Sequence, residues 1–183
     1  MKFSKTDFEG LFIISPELHF DERGYFMESF NKFFFDKIMP HTNFVQDNIS
    51  YSKKGVLRGL HFQRPPYAQI KLVKCIKGKV LDIALDLRKD SQTYGKVHTK
   101  IISDEDNYQL LIPSGFAHGY LVLSDSAIFS YKIDKHYSKD DLEKLTKITK
   151  LSKKEIAELV ENLSNGVPIS TPVFDGASTK DIT

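Results

Sequence analysis

A single all-β domain of the jelly-roll type with short flanking helices is what this sequence predicts, and two observations predict it. Between Asn43 and Asp134, short runs rich in Val, Ile and Leu follow one another at regular spacing, with turn-forming residues between most of them. Strands so punctuated favour an antiparallel sandwich or barrel over alternating strand–helix units. Helical signals, by contrast, stay on the flanks. The 183 residues suffice for one domain with a proper core. The jelly-roll core is expected over about residues 43–134, with a helical extension over about 139–166.

Taken in order, Asn31–Met39 reads as a short aromatic helix that ends before Pro40. Val56–Gln63 reads as a strand. Lys71–Ile76 and Lys79–Leu87 follow, separated by Lys77-Gly78, a hairpin-turn signal. Further strands are expected at Val97–Ser103, Tyr108–Ile112, Ala117–Leu123 and Ile128–Ile133. Ser152-Lys153-Lys154-Glu155 is a capping-box signature that opens a C-terminal helix. Ile156, Leu159, Val160 and Leu163 give that helix one apolar face, and Asn165-Gly166 stops it. From Val167 the chain is polar, proline-punctuated and expected to be extended.

Composition excludes more than it selects. Apolar residues make up 40% and charged residues 27%, and the net charge is +2. Nothing in that balance argues for nucleic acid or an anionic membrane, and no run approaches the length of a membrane span. The one cysteine, Cys75, has no partner for an internal disulfide. The charged start Met1-Lys2-Phe3-Ser4-Lys5 lacks a following apolar stretch of the signal-peptide kind. Both point to the cytoplasm.

Chemistry concentrates in Val56-Leu57-Arg58-Gly59-Leu60-His61-Phe62-Gln63. A glycine inside a strand marks a bulge or a close approach. Arginine offers a planar fork for phosphate, and histidine titrates near neutral pH. Together they suggest an enzyme acting on a phosphorylated small molecule. Five other segments give this chain a recognisable pattern: Asp21-Glu22-Arg23-Gly24-Tyr25-Phe26-Met27-Glu28-Ser29-Phe30, Phe44-Val45-Gln46-Asp47-Asn48, Ile112-Pro113-Ser114-Gly115-Phe116-Ala117-His118-Gly119-Tyr120, and, between or after them, Ala68–Val73 and Phe129–Lys132. In this order, from about Leu11 to Ser138, the chain resembles the dTDP-4-dehydrorhamnose 3,5-epimerases. The resemblance implies a double-stranded β-helix (cupin) fold, a homodimer, no metal or organic cofactor, and a nucleotide-diphosphate sugar as substrate.

It also implies roles. In a 4-keto sugar the ketone acidifies the hydrogens on C3 and C5, so a base, a cation for the enolate oxygen and an acid on the other face suffice. His61 matches the family's base, Lys71 the residue beside the enolate, and Tyr131 the proton donor. Arg23, Glu28, Gln46, Asp47, Asn48 and Arg58 match nucleotide and phosphate contacts, with Arg23 reaching into the partner subunit's site. Tyr137 matches an aromatic stacked on the base. His118 lies in a Pro-x-Gly-x-x-His loop that resembles half of a cupin metal motif. Because His61-Phe62-Gln63 supplies one histidine where two are needed, His118 reads as a substrate-binding or supporting histidine. Lys180 and Asp181, in Ser178-Thr179-Lys180-Asp181, match a late motif whose aspartate orients the catalytic histidine. Taken singly, His61 would be a structural histidine, Tyr131 a core aromatic, Lys71 a surface lysine, Asp21–Gly24 a charged turn and the tail a frayed end.

The chain departs from the family in having no tryptophan, in the inserted helix around Ser152–Asn165, and in carrying Ile49 and His136 where histidine and tyrosine are common. The expected activity is C3 and C5 epimerisation of a nucleotide-linked 4-keto-6-deoxyhexose. A C3-only or C5-only epimerase, or a cupin that binds nucleotide sugars without turning them over, are the alternatives.

Overall fold

The computed structural model describes residues 1–138. The expected C-terminal helix, the extension over 139–166, Lys180 and Asp181 lie outside the described residues. In chain order the elements are β1 (Lys2–Lys5), β2 (Phe12–Ser15), β3 (His19–Asp21), β4 (Gly24–Phe26), α1 (Lys32–Phe35), β5 (Gln46–Lys53), β6 (Leu57–His61), β7 (Lys71–Lys77), β8 (Lys79–Asp86), β9 (Val97–Ser103), β10 (Gln109–Ile112), β11 (Phe116–Val122) and β12 (Ser126–Ile133).

These strands build two facing sheets of the expected jelly roll. The six-stranded sheet runs β1-β2-β10-β7-β12-β5, the four-stranded sheet β6-β11-β8-β9, and β3-β4 forms a separate hairpin. Every pairing is antiparallel. Side chains alternate between faces along a strand. Val73 and Cys75 of β7, Ala127 and Phe129 of β12, Val80 and Ala84 of β8, and Phe116, Tyr120 and Val122 of β11 therefore meet in one core between the sheets.

Both sheets are also covered outside. Leu81, Ile83, Leu85, Ala117 and Leu121 form a second cluster on the far face of the four-stranded sheet. Ile14, Leu72 and Leu111 pack with Phe35 on the far face of the other. Burial on two faces is why β8 and β11 read as nearly continuous apolar runs rather than alternating ones.

Three expectations need correction. The aromatic helix is a single turn, Lys32–Phe35, with looser turns to Met39. Asn31 caps it by accepting from the Phe33 amide at 3.1 Å, and buried Phe35 anchors it; full burial of such a side chain contributes about 2–3 kcal/mol. Second, the sheet begins well before residue 43, because β1 and β2 extend it beyond β10. Third, Lys77-Gly78 is not a hairpin turn. β7 and β8 belong to opposite sheets, so this pair is a corner. Gly78 takes φ +85°, and a side chain there would collide with the Ser126 carbonyl oxygen.

Candidate active site

A cavity of about 710 Å³ opens between the two sheets. The six-stranded sheet contributes Gln46, Asn48 and Ser50 from β5, Lys71 from β7, and Phe129 and Tyr131 from β12. Across from them the four-stranded sheet contributes Arg58, Gly59 and His61 from β6, with His118 and Tyr120 from β11. His61 and His118 are register partners. Gly59 has φ +114°, and a Cβ on it would lie 2.6 Å from the Gly119 Cα. The two glycines thus let β6 and β11 touch backbone to backbone, with a register shift between His118 and Tyr120. The glycine inside the β6 strand serves this close approach.

The alternation of β5 decides which of its residues reach the cavity. Gln46, Asn48 and Ser50 face in, while Asp47 does not line the cavity and pairs with Lys132 at 2.8 Å. Gln46 Nε2 donates to Asn48 Oδ1 at 2.7 Å. Asn48 Nδ2 is buried and has no hydrogen-bond partner among the described residues. Arg58 is braced by Nε donating to Ser52 Oγ at 2.8 Å and Nη2 donating to the Tyr51 carbonyl at 3.2 Å. Three of its five donors remain for a ligand.

The titratable side chains are tuned by where they sit. Burial, then the charges of Lys71, His118 and Arg58, push the His61 imidazole below its ordinary range, so it is a neutral base near pH 7. Lys71 is 8% exposed. Burial lowers its ammonium to about 8, against the opposing pull of Asp82, and its Nζ reaches the His61 carbonyl at 3.4 Å. Burial and Tyr120 raise the Tyr131 phenol, opposed by Arg58, so it stays protonated. Tyr120 shares a hydrogen bond with Ser50 Oγ at 2.7 Å and stacks on Phe129 with centroids 4.0 Å apart.

The rim is tied down by polar clamps. Asp134 Oδ1 accepts from the Ile70 amide at 2.7 Å, Gln69 Nε2 donates to the Lys135 carbonyl at 2.9 Å, and Gln63 Oε1 accepts from the Ser138 amide at 2.8 Å. They hold Tyr137 at the edge of the cavity.

His61, Lys71, Tyr131, Gln46, Asn48, Arg58, His118 and Tyr137 are thus brought together. Arg23 and Glu28 are not. Arg23 is exposed at the β3–β4 turn beside Asp21, and Glu28 accepts from Asn31 Nδ2 at 3.1 Å. Ser50, Gln69 and Tyr120 line the cavity without having been foreseen. Asp82, also unforeseen, does not line the cavity; it is buried behind His118, 2.8 Å from Nε2. A carboxylate amid Val80-Leu81-Asp82-Ile83-Ala84 was the signal, since Asp is rarely fully buried without a partner. Among the described residues no three His, Cys, Asp or Glu side chains cluster as metal ligands, and no helix is long and apolar enough to cross a membrane.

Comparison with known proteins gives one family. The profile described as dTDP-4-dehydrorhamnose 3,5-epimerase matches residues 5–152. The dTDP-4-dehydrorhamnose 3,5-epimerase of Shigella flexneri is 53% identical over 140 residues, 76% of this chain and 77% of that protein. The crystal structure of the enzyme of that name from Elizabethkingia anophelis superposes with a TM-score of 0.74 at 48% identity, covering 77% of this chain and 78% of that one. The dTDP-6-deoxy-D-glucose-3,5-epimerase of Legionella pneumophila, crystallised with dTDP-4-keto-L-rhamnose, gives 0.74 at 43% identity over 76% of this chain and 74% of that one.

Proposed function

Because the chain belongs to the dTDP-4-dehydrorhamnose 3,5-epimerase family, we propose that it inverts C3 and C5 of a dTDP-linked 4-keto-6-deoxyhexose, converting dTDP-4-dehydro-6-deoxyglucose to dTDP-4-dehydrorhamnose. The observation that carries this reading is the placement of His61 and Tyr131 on opposite sheets across one cavity, with Lys71 between them in the chemistry. A base on one wall and an acid on the other are what inversion at carbon needs.

Neutral His61 removes the proton from the carbon beside the ketone. The electron pair delocalises onto the C4 oxygen as an enolate, which the buried Lys71 ammonium stabilises. Tyr131 then delivers a proton to the opposite face; its phenolate regains one from solvent, and the His61 imidazolium releases the proton it took to solvent. The same cycle serves the second carbon. Arg58, with its unused donors, and the unpartnered Asn48 Nδ2 hold the nucleotide and diphosphate. His118 contacts the sugar, and Tyr137, 53% exposed at the rim, stacks on the base. Lys180 adds a substrate contact, and Asp181 orients His61.

Two copies form a homodimer in which Arg23 reaches the partner's cavity. In support, Arg23 sits on a hairpin that exposes Phe20 and Phe26 by 73% and 67%, the kind of apolar patch that marks an interaction surface. Glu28 and Asp47 act at that shared edge. The enzyme works in the cytoplasm with Cys75 reduced. Incubation with dTDP-4-dehydro-6-deoxyglucose in deuterated water tests the reading. Deuterium should enter at C3 and C5 with net inversion at both. Exchange at one carbon alone would make it a mono-epimerase, and no exchange would make it a binder.

A further inference from the structure

Resting on that functional reading, we propose that Asp82 is a positioning residue for the reaction: its carboxylate, buried behind His118, fixes the tautomer of that ring and keeps a negative charge within reach of Lys71. Asp82 occupies an inward position of β8, between Val80 and Ala84 of the apolar core, and is 1% exposed. Its Oδ2 lies 2.8 Å from His118 Nε2, and both side chains are buried. A carboxylate oxygen accepts, so Nε2 carries the hydrogen, and Nδ1 is the ring nitrogen left for the substrate.

The other oxygen, Oδ1, is buried and has no hydrogen-bond partner among the described residues. A half-satisfied buried carboxylate is costly, and a hydrophobic residue would serve the core better. What offsets the cost is the pair of groups the carboxylate serves. Lys71 is nearly as deeply buried, and Asp82 opposes the loss of its proton. Among the described residues, Lys71 shares the cavity with His61 and Arg58 on β6, His118 and Tyr120 on β11 and Tyr131 on β12, and Asp82 on β8 acts on it electrostatically. Asp134, just past β12, is engaged with the Ile70 amide. Among the described residues, Asp82 is the carboxylate whose charge favours the Lys71 ammonium. It reaches the sugar only through His118 and Lys71, so its effect should appear in the charge and tautomer of those two.

The experiment uses the full chain and two readouts. Nitrogen-15 NMR of the histidine rings in the parent should show His118 protonated at Nε2. In Asp82→Asn the turnover should fall by between about tenfold and 10⁴-fold, the range seen when a carboxylate behind a functional histidine is made neutral. The alkaline limb of the pH–rate profile should also move to lower pH, because Lys71 then loses its proton more readily. A purely structural Asp82 would lower the melting temperature and leave the pH profile in place, and that result overturns the proposal. So does a parent spectrum with His118 protonated at Nδ1 alone, which decides the matter even if Asp82→Asn fails to fold. Should the parent exchange no protons at C3 or C5, the functional reading fails. The tautomer would still report on Asp82.

Discussion

Lys71→Met separates what this site does for catalysis from what it does to stability. The ammonium is buried, and its value falls from 10.5 to about 8. At about 1.36 kcal/mol per pH unit, keeping the charge in the folded protein at pH 7 costs about 3 kcal/mol, a figure that already contains the attraction of Asp82. Methionine keeps most of the stem and carries no charge. The variant should therefore be more stable than the parent at pH 7, by roughly 2–4 °C in melting temperature per kcal/mol for a chain of this size. The pH dependence follows from the sign of the shift. With the folded value below the unfolded one, the unfolded chain binds the proton more tightly, so this group's contribution to parent stability rises with pH. The advantage of the variant should shrink between about pH 8 and 10.5. Cys75, raised to about 11 by burial, also changes stability above pH 9, but it does so equally in both proteins and cancels in the difference. Urea or thermal unfolding at fixed protein concentration, at pH 7 and above pH 10, reads the gap, and proton exchange reads the chemistry. A variant less stable than the parent at pH 7, or a gap that does not change with pH, would refute the reasoning, as would turnover within twofold of the parent.

Four other outcomes are expected. His61→Asn should keep fold and nucleotide binding while losing exchange at C3 and C5 by about 10² to 10⁴-fold, measured by NMR in deuterated water. Tyr131→Phe should leave exchange on the His61 side while net inversion falls; inversion at the parent rate would return Tyr131 to the role of a core aromatic. The pH–rate profile should be bell-shaped, rising as His61 loses its proton below its ordinary 6.5 and falling as Lys71 loses its own near 8. Asp181→Asn should slow turnover strongly with little change in melting temperature, and a rate within about twofold of the parent, roughly 0.4 kcal/mol in barrier, would leave the tail a frayed end.

Much of the fold was legible because burial on both faces writes long apolar runs. β9 spans Val97–Ser103 as read from the sequence, and β8, β10, β11 and β12 differ by a residue or two at their ends. β1 and β2 were missed because, unlike the fully buried four-residue β10, they are short and only partly buried, and β5 was missed because its alternating, largely polar residues make no apolar run. The site was legible where a family motif coincided with an inward position. Gln46 and Asn48 satisfied both. Asp47 satisfied only the motif, and one step along a strand turned it to the opposite face. Asp82 satisfied only the inward position. No local pattern links it to His118, which lies 36 residues away.

The Lys77-Gly78 corner shows why pairing across sheets is harder to read than strands. The same two residues that signal a hairpin also allow a chain to leave one sheet and enter the facing one, and the local sequence does not distinguish them. What decides is the far side of Gly78, where Ser124 and Ser126 crowd the space a side chain would occupy. Because the chain crosses there, β7 and β8 run on opposite walls. Lys71 on the first and Asp82 on the second therefore come within electrostatic reach across the interior instead of lying side by side in one sheet. His61 and Tyr131 are divided between the walls in the same way. Had β7 and β8 formed a hairpin, Lys71 and Asp82 would share one sheet instead of lying on opposite ones.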